Sequence, residues 1–462
     1  MRRHLLAVLL SSCVSAVLHA QTFAYVGSRY EPNVAVIDTA TNAVVATVPL
    51  PALMAGGPVA STHMMAMSPD GNRVYVSTFQ NSAPFTWTIV AIDTATSSVA
   101  STISVPGAAR LAVSPDSARL YVATVLNGAG SVTVVDTATN SVSGSIALPA
   151  TSRPYMIAAT PTQVYIDDSS SGDVYVADAA TNALIATIPP SGIGGAYGMA
   201  LSSDGSRLYY QNTQGVFSVV DTATNTTLST AAVDAIFASF EITPDGGKLY
   251  AVGIPDDGPF YTIDTTSFAL TTITDYSQAW FDAAIAPDGA LAYLCNFDHA
   301  SVVAFDTATN TPVATIPLPS TQVRGATPAA IVVGHIPPAI PFAAFNVAKL
   351  QVNSQGFSEN GSFTLGAAAA FDPATQRVSL TAGSYTLDIP AGSFRKDGPN
   401  LHWTFEGKVG SVRVNADIKQ QGRSTTQFDY SAAVKGPDLT AQAKPLRVGI
   451  RIGLNVGSAL VP

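Results

Sequence analysis

The chain has 462 residues, 22 Lys and Arg against 31 Asp and Glu, a formal net charge of −9, and two cysteines. That length allows more than one domain, while two cysteines exclude a disulfide-stapled scaffold and the acidic balance argues against nucleic acid.

Residues 1–20 have the layout of a signal peptide: Arg2 and Arg3, an apolar run from Leu5, and Leu18-His19-Ala20 ahead of Gln21. The expected location is therefore extracytoplasmic: periplasmic, secreted or on the cell surface. Leu10-Ser11-Ser12-Cys13 also fits a lipoprotein box, but its apolar region would be short, so lipid anchoring at Cys13 is the secondary expectation. No later apolar stretch reaches the roughly 18 residues of a membrane-spanning helix, so no transmembrane anchor is expected in the mature chain. Cleavage leaves Cys295 alone, in the strand pattern Leu291-Ala-Tyr-Leu-Cys295, where a buried, unreactive thiol is expected.

Beyond the leader, Asp-Thr-Ala-Thr-Asn or a close variant recurs at Asp38, Asp93, Asp136, Asp178, Asp221, Asp264 and Asp306, at spacings of 55, 43, 42, 43, 43 and 42 residues. Each copy holds runs of β-branched and aromatic residues such as Arg119-Leu-Tyr-Val-Ala123 and Ser131-Val-Thr-Val-Val-Asp136. Four short strands in about 43 residues make one propeller blade. A Ser-Pro-Asp-Gly turn at Ser68, with variants at Ser114, Ser202, Thr243 and Ala286, joins the first two strands. In it proline presets φ, Asp bonds local backbone and Gly accepts positive φ. The Asp-Thr-Ala-Thr-Asn corner joins strands three and four, its oxygens accepting nearby amides and its Asn tolerating the left-handed region. The first copy begins at Phe23 with a second strand, so the late apolar segment 323–333 is expected to supply its missing innermost strand and close the ring.

Tyr75-Val76 and Tyr121-Val122, with Tyr175-Val176 in a shifted place, precede the Val-x-Val-Ile/Val-Asp-Thr-Ala-Thr-Asn phrase. This resembles the YVTN-type β-propeller repeat of exported bacterial and archaeal surface proteins, over roughly Phe23 to Val333. The resemblance implies a seven-bladed propeller. It implies no single activity, because such repeats occur in surface-layer and binding proteins, and lactonases and a streptogramin lyase share only the architecture.

A Pro-rich stretch at 336–344 separates the propeller (21–335) from a second domain (345–462), and the charge changes sign across it. Residues 21–344 carry 8 Lys and Arg against 23 acids, a balance of −15, whereas 345–462 carry 12 against 8, a balance of +4. Alternation in the second domain predicts an antiparallel β-sandwich or barrel-like fold, with strands at Val378–Leu380, Tyr385–Ile389, Leu401–Phe405, Val412–Val414, Phe428–Tyr430 and along Leu446–Val456. The expected fold class is all-β.

Motifs that carry chemistry are scarce. No Cys-x-x-Cys, His-Glu-x-x-His, Gly-x-Ser-x-Gly or P-loop occurs. Asp167-Asp168-Ser-Ser-Ser-Gly-Asp173 lacks the ligand spacing of a calcium loop and reads as a solvated loop. His63 with Met64, Met65 and Met67 has the softness of copper ligation, but Met65 and Met67 align with Leu111 and Val113 and read as core. Neither cofactor nor metal is expected. Aligning the innermost strands on the Ser-Pro-Asp-Gly turn gives a column of Ala66, Ala112, Ala158, Ala200, Glu241 and Ala284, where blades converge and small residues are required. Glu241 breaks the rule. The next column (Met64, Arg110, Met156, Gly198, Ser239, Asp282) is more polar, so Arg110, Asp282 and Arg324 could meet Glu241 at the channel, either as an ion pair fixing blade order or as a ligand site. The long connections 51–62 and 80–86 make Met54, Phe85 and Trp87 candidate recognition residues. The expected function is binding or scaffolding without catalysis, toward a protein, a polysaccharide or a small molecule at a propeller face, by a monomer that binds no nucleic acid. The alternative is a lactonase- or lyase-like enzyme with an acid–base site at the channel mouth.

Overall fold

A computed structural model describes residues 21–461 apart from 52–60, 81–85, 127, 192–194, 254–257, 275–279, 320–326, 337–339, 342–343, 366–371, 375–377, 383–384, 390–392, 398–400, 410–411, 423, 425, 437–445 and 453–454. The fold is all-β, and each of the seven repeats forms a four-stranded antiparallel sheet. Blade 1 combines Gln21–Ser28, Asn33–Asp38 and Ala43–Pro49 with Pro328–Ile336 as its innermost strand. Blades 2 to 7 follow in sequence from Ser61, Ala108, Pro154, Ala196, Phe237 and Trp280. The closing strand runs to Ile336, past the expected end at Val333, and pairs Tyr25 with Val332. Segment 320–326 lies outside the described residues.

The propeller buries its apolar residues between blades, because each sheet has two apolar faces and no layer of its own to cover them. Blades 1 and 2 share Tyr25, Val36, Met65, Val76 and Val90, and blades 7 and 1 share Ala24, Ile37, Tyr293, Cys295 and Ile331. Cys295 is fully buried there, and burial pushes its thiol well up, with Asp282 adding to the shift.

The repeated phrase does more than turn the chain. In blade 7 the Asp306 carboxylate accepts the Ala308 and Thr309 N–H groups at 3.0 and 2.8 Å. Thr222 and Thr265, the second residues of their corners, donate to the Gly205 and Gly246 carbonyls at 2.6 Å, tying each corner to the first turn of its own blade. Asn310 takes φ of 55°. Its side-chain oxygen accepts the Tyr250 hydroxyl of blade 6 at 2.7 Å; Tyr165 reaches Asn225 at 2.8 Å and Tyr293 reaches Asn42 at 3.2 Å. At these three joins the Tyr of one blade and the Asn of the next are two halves of one latch, and the Tyr293–Asn42 pair joins blade 7 to blade 1; the Asn140 and Asn182 side-chain oxygens accept no such bond.

The second domain is a sandwich. Its six-stranded sheet runs in the order Ala344–Asn353, Gly356–Thr364, Gln427–Lys435, Val412–Gln420, His402–Val409, Arg395–Lys396. Its five-stranded sheet runs Ile340–Pro341, Asn455–Val461, Leu446–Ile452, Val378–Ala382, Tyr385–Ile389. Phe357, Trp403, Val414 and Phe428 of one sheet pack with Val378, Leu380, Ile450 and Ile452 of the other. The alternation from Leu446 to Val456 is not one strand, as expected from the sequence, but a hairpin in which Ile452 faces Asn455. The hairpin Ala344–Thr364 was not anticipated: Gly361 and the small residues around it weaken the alternation. Ile340 and Pro341, within the Pro-rich stretch, pair parallel with Asn455 and Val456.

Candidate functional site at the channel mouth

The seven innermost strands form a closed ring. Each carries a β-bulge near its start: at His63, Ala109–Arg110, Tyr155–Met156, Tyr197, Ala238, Phe281–Asp282, and beside Pro328 in blade 1. Bulges break the ladder and re-aim side chains, so this end of the channel has both spare N–H donors and redirected residues.

Most polar groups here are occupied by those spare donors. Ser77 accepts the Met64 N–H at 3.0 Å, Gln211 accepts Phe237 N–H at 3.0 Å, and Asp282 accepts Ile331 N–H at 3.1 Å and the Ser239 hydroxyl at 3.2 Å. Asp167 accepts both Tyr155 and Met156 N–H groups at 3.0 and 2.5 Å. Asp167 is fully buried, and that desolvation pushes it up to about 7 against the pull of the two N–H groups and of Arg110. Asp282 is raised for the same first cause, opposed chiefly by the Ile331 N–H and by Arg110.

Arg110 and Glu241 are different. Arg110 is buried on its bulge, with Nη1 donating to the Met64 sulfur at 2.8 Å and Nη2 to the Tyr155 hydroxyl at 2.6 Å, and its carbon Cζ 4.5 Å from the Tyr155 ring centre. Its Nε has no hydrogen-bond partner, and no carboxylate forms an ion pair with it among the described residues. The Arg110–Glu241 ion pair entertained from the sequence is therefore absent. Glu241 faces Tyr250 in register and is solvent-exposed although protein surrounds it on every side, as befits a group projecting into a narrow shaft. That enclosure, with Asp282 adding its charge, pushes Glu241 up to about 8.

Aromatic groups border the same end. Half-buried Trp87 lies against Phe79 (4.3 Å) and edge-on to His63 (5.8 Å), while Phe281 stacks on Phe297 and lies under Arg29. Their strands place them all on the face carrying the strand-four-to-one and two-to-three connections. Of the sequence candidates, Arg110, Glu241 and Asp282 stand on innermost strands, and Trp87 stands on the third strand of blade 2, packed between blades; Arg324, Met54 and Phe85 lie outside the described residues. Met65 is buried in the inter-blade core and Met67 packs against Gly334. Asp167 and Asp168 are not in a solvated loop as expected: both are buried, Asp168 accepting Arg153 N–H and the Ser170 hydroxyl.

Sequence reasoning missed Asp167, Tyr155 and the bulges. A signal existed for the first. Two residues after the blade tyrosine come Gly27, Ser77, Ala123, Asp167, Gln211, Val252 and Cys295, a column whose polar members brace bulge N–H groups.

No family model matches the chain, and neither does any curated protein. Solved structures similar to it include a functionally unknown protein from Desulfotomaculum acetoxidans (15% identity, TM-score 0.53, covering 68% of this chain and 99% of that one). A candidate 6-phosphogluconolactonase from Bacteroides fragilis is also similar (17%, 0.50, 69% and 99%), as is hydrazine synthase of Kuenenia stuttgartiensis (18%, 0.48, 59% and 89%). At these identities the likeness is one of fold.

Proposed function

We propose that this is an exported, non-catalytic binding protein of the YVTN-repeat type, acting as a monomer through the bulged end of its channel. The reading of export rests on residues 1–20, and that of the repeat family on the Tyr and Asp-Thr-Ala-Thr-Asn phrases. The observation that carries the binding role is the unequal use of polar groups. Asp167, Ser77 and Gln211 accept N–H groups at or beside bulges and Asp282 accepts the Ile331 N–H, whereas Arg110 keeps unspent donors and Glu241 has no ion-pair partner among the described residues. A buried guanidinium without a carboxylate in contact favours an acceptor-rich group of a ligand. The exposed Glu241 carboxyl can hydrogen-bond a hydroxyl farther down. The flanking aromatics suit a small polar molecule or the end of a polymer.

A thermal-shift screen of sugars, sugar acids, lactones and cell-wall fragments on the mature chain tests this. At least one ligand should raise the wild-type Tm, and Arg110→Met should abolish that shift while its ligand-free protein stays folded. Retention of the shift by Arg110→Met would remove the mouth as the site.

One observation favours the second reading, a lactonase- or lyase-like enzyme: Glu241 and Asp282 are both raised within one channel, as in acid–base carboxyl pairs. Turnover of a screened lactone that disappears in Glu241→Ala would select it.

A further inference from the structure

The charges of the channel mouth are sorted to opposite walls. The innermost strands of the seven blades close a ring in blade order. Arg110 stands on blade 3, whereas Glu241 and Asp282 stand on blades 6 and 7. Counted round a ring of seven, blades 6 and 7 are each three steps from blade 3, one in either direction, and so form the wall across from it. Arg110 and Asp282 occupy the same place on their strands, the second residue of the bulge, where the broken ladder re-aims a side chain. Asp282 feels the Arg110 charge, and Glu241 feels that of Asp282, so the three groups share one space. Arg110 forms an ion pair with neither carboxyl.

Each wall lacks its counter-charge. Arg110 is 9% exposed; its Nη1 rests on the Met64 sulfur, a weak acceptor, and its Nε has no hydrogen-bond partner. Across the channel, Asp282 has the Ser239 hydroxyl on one oxygen and the Ile331 N–H on the other, but no cation in contact among the described residues. Glu241 is exposed along the shaft and likewise has no ion-pair partner among them. A purely anionic ligand on Arg110 would face Glu241 and Asp282, with the Asp167 carboxyl, which also feels Arg110, behind it. A purely cationic ligand on the carboxyls would face the guanidinium. Either is opposed by a like charge in a narrow, poorly hydrated space. A molecule with a carboxylate at one end and an ammonium at the other meets its opposite on both walls.

We propose that the mouth selects a small zwitterion of the amino-acid type, its carboxylate on Arg110 and its ammonium toward Glu241 and Asp282. This rests on the bulged channel end being the binding site and narrows the class of its ligand. Calorimetry of the mature chain at neutral pH tests it with glycine, β-alanine, γ-aminobutyrate and ε-aminocaproate, each beside the matching plain carboxylate and the matching alkylamine. At least one zwitterion should bind more tightly than both of its single-charge counterparts, by about tenfold or more, and the preferred chain length reads the span between the walls. Arg110→Met and Glu241→Gln should each weaken that binding by about tenfold or more while the ligand-free proteins keep the wild-type melting curve. Where a variant melts lower, the ligand comparison on wild type decides alone. The inference is overturned if no zwitterion binds, if a plain carboxylate or an alkylamine binds as tightly as its zwitterion, or if a folded Glu241→Gln binds as wild type does. Carboxylate binding that Arg110→Met abolishes would leave the mouth standing as an anion site and remove only the zwitterion. A zwitterion that folded Arg110→Met still binds would remove the mouth as well.

Discussion

At the corners and turns of the propeller, Asp178, Asp221, Asp264 and Asp306 stand in water with N–H and hydroxyl donors around one oxygen, which holds their carboxyls below the usual range. Asp204, in a first turn, is drawn down to about 2, mainly by the Ser202 hydroxyl. Four enclosed acids go the other way. Asp167, Asp282 and Glu241 on the channel, and Glu359 in the sandwich, are raised, first because protein replaces water around them. Asp167 has two N–H donors, both on Oδ1, whereas Glu359 has none and both its oxygens lack a hydrogen-bond partner. The difference teaches that donor geometry marks a carboxylate as part of the frame, and that raised acids are informative only where those donors are missing.

Glu359 offers the largest effect by which to break that comparison. It is 3% exposed between Leu350 and Ala432, and its pKa is pushed up to about 8. With a folded-state pKa above the unfolded one, its share of stability is complete below about pH 4.3 and is lost as pH rises through 8. The slope between these limits approaches about 1.4 kcal/mol per pH unit. Denaturant titrations at pH 5, 7 and 9 should show Glu359→Gln flattening this fall and gaining on wild type at pH 9. An unaltered slope would mean that Glu359 has partners in solution.

Packing at the channel gives the next effect. A Cβ on Gly198 would overlap the Phe240 ring of blade 6, so Gly198→Ala should cost about 1–3 kcal/mol by overpacking. The inter-blade latch follows. Asn310→Gly keeps the left-handed backbone but loses the Tyr250 bond, at about 1 kcal/mol, whereas Asn310→Ala costs roughly 1–2 kcal/mol more, because Ala has neither glycine's freedom at positive φ nor the side-chain amide that lets Asn tolerate it. No loss in Asn310→Gly would show that the latch contributes nothing.

Much of the propeller was legible because its information is periodic. Seven copies of one turn and one corner count the blades, and the missing first strand at Phe23 predicts closure by the late segment. The latch was half-legible: Asn could be assigned its left-handed backbone from one repeat, but its bond to Tyr exists only between repeats. The site was less legible. Ala66, Ala112, Ala158, Ala200 and Ala284 made Glu241 visible as an exception, yet the bulges that turn Arg110 onto Tyr155 leave no mark at fixed spacing, since each replaces a ladder bond with a different residue. In the second domain alternation alone locates strands, and it runs straight through the turn between Ile452 and Asn455, where apolar and polar residues keep their order while the chain reverses.

The smallest expected effect is the sharpest test of the channel. Glu241 occupies a column otherwise filled by Ala and, in blade 1, by Val332, so Glu241→Ala fits the ring without new contacts. Were it paired with Arg110, its loss would strand a buried guanidinium and cost about 3–5 kcal/mol. Arg110 instead bonds Met64 and Tyr155, and Glu241 reaches solvent along the shaft. Unfolding free energies at pH 5, where Glu241 is protonated, should therefore agree within about 0.5 kcal/mol. Its raised folded-state pKa means that wild type loses stability as pH climbs through about 8, so the variant should gain on wild type between pH 5 and 9. A loss of several kcal/mol at pH 5 would place Glu241 with the framing acids, and the channel would then hold one unspent group, Arg110, rather than two.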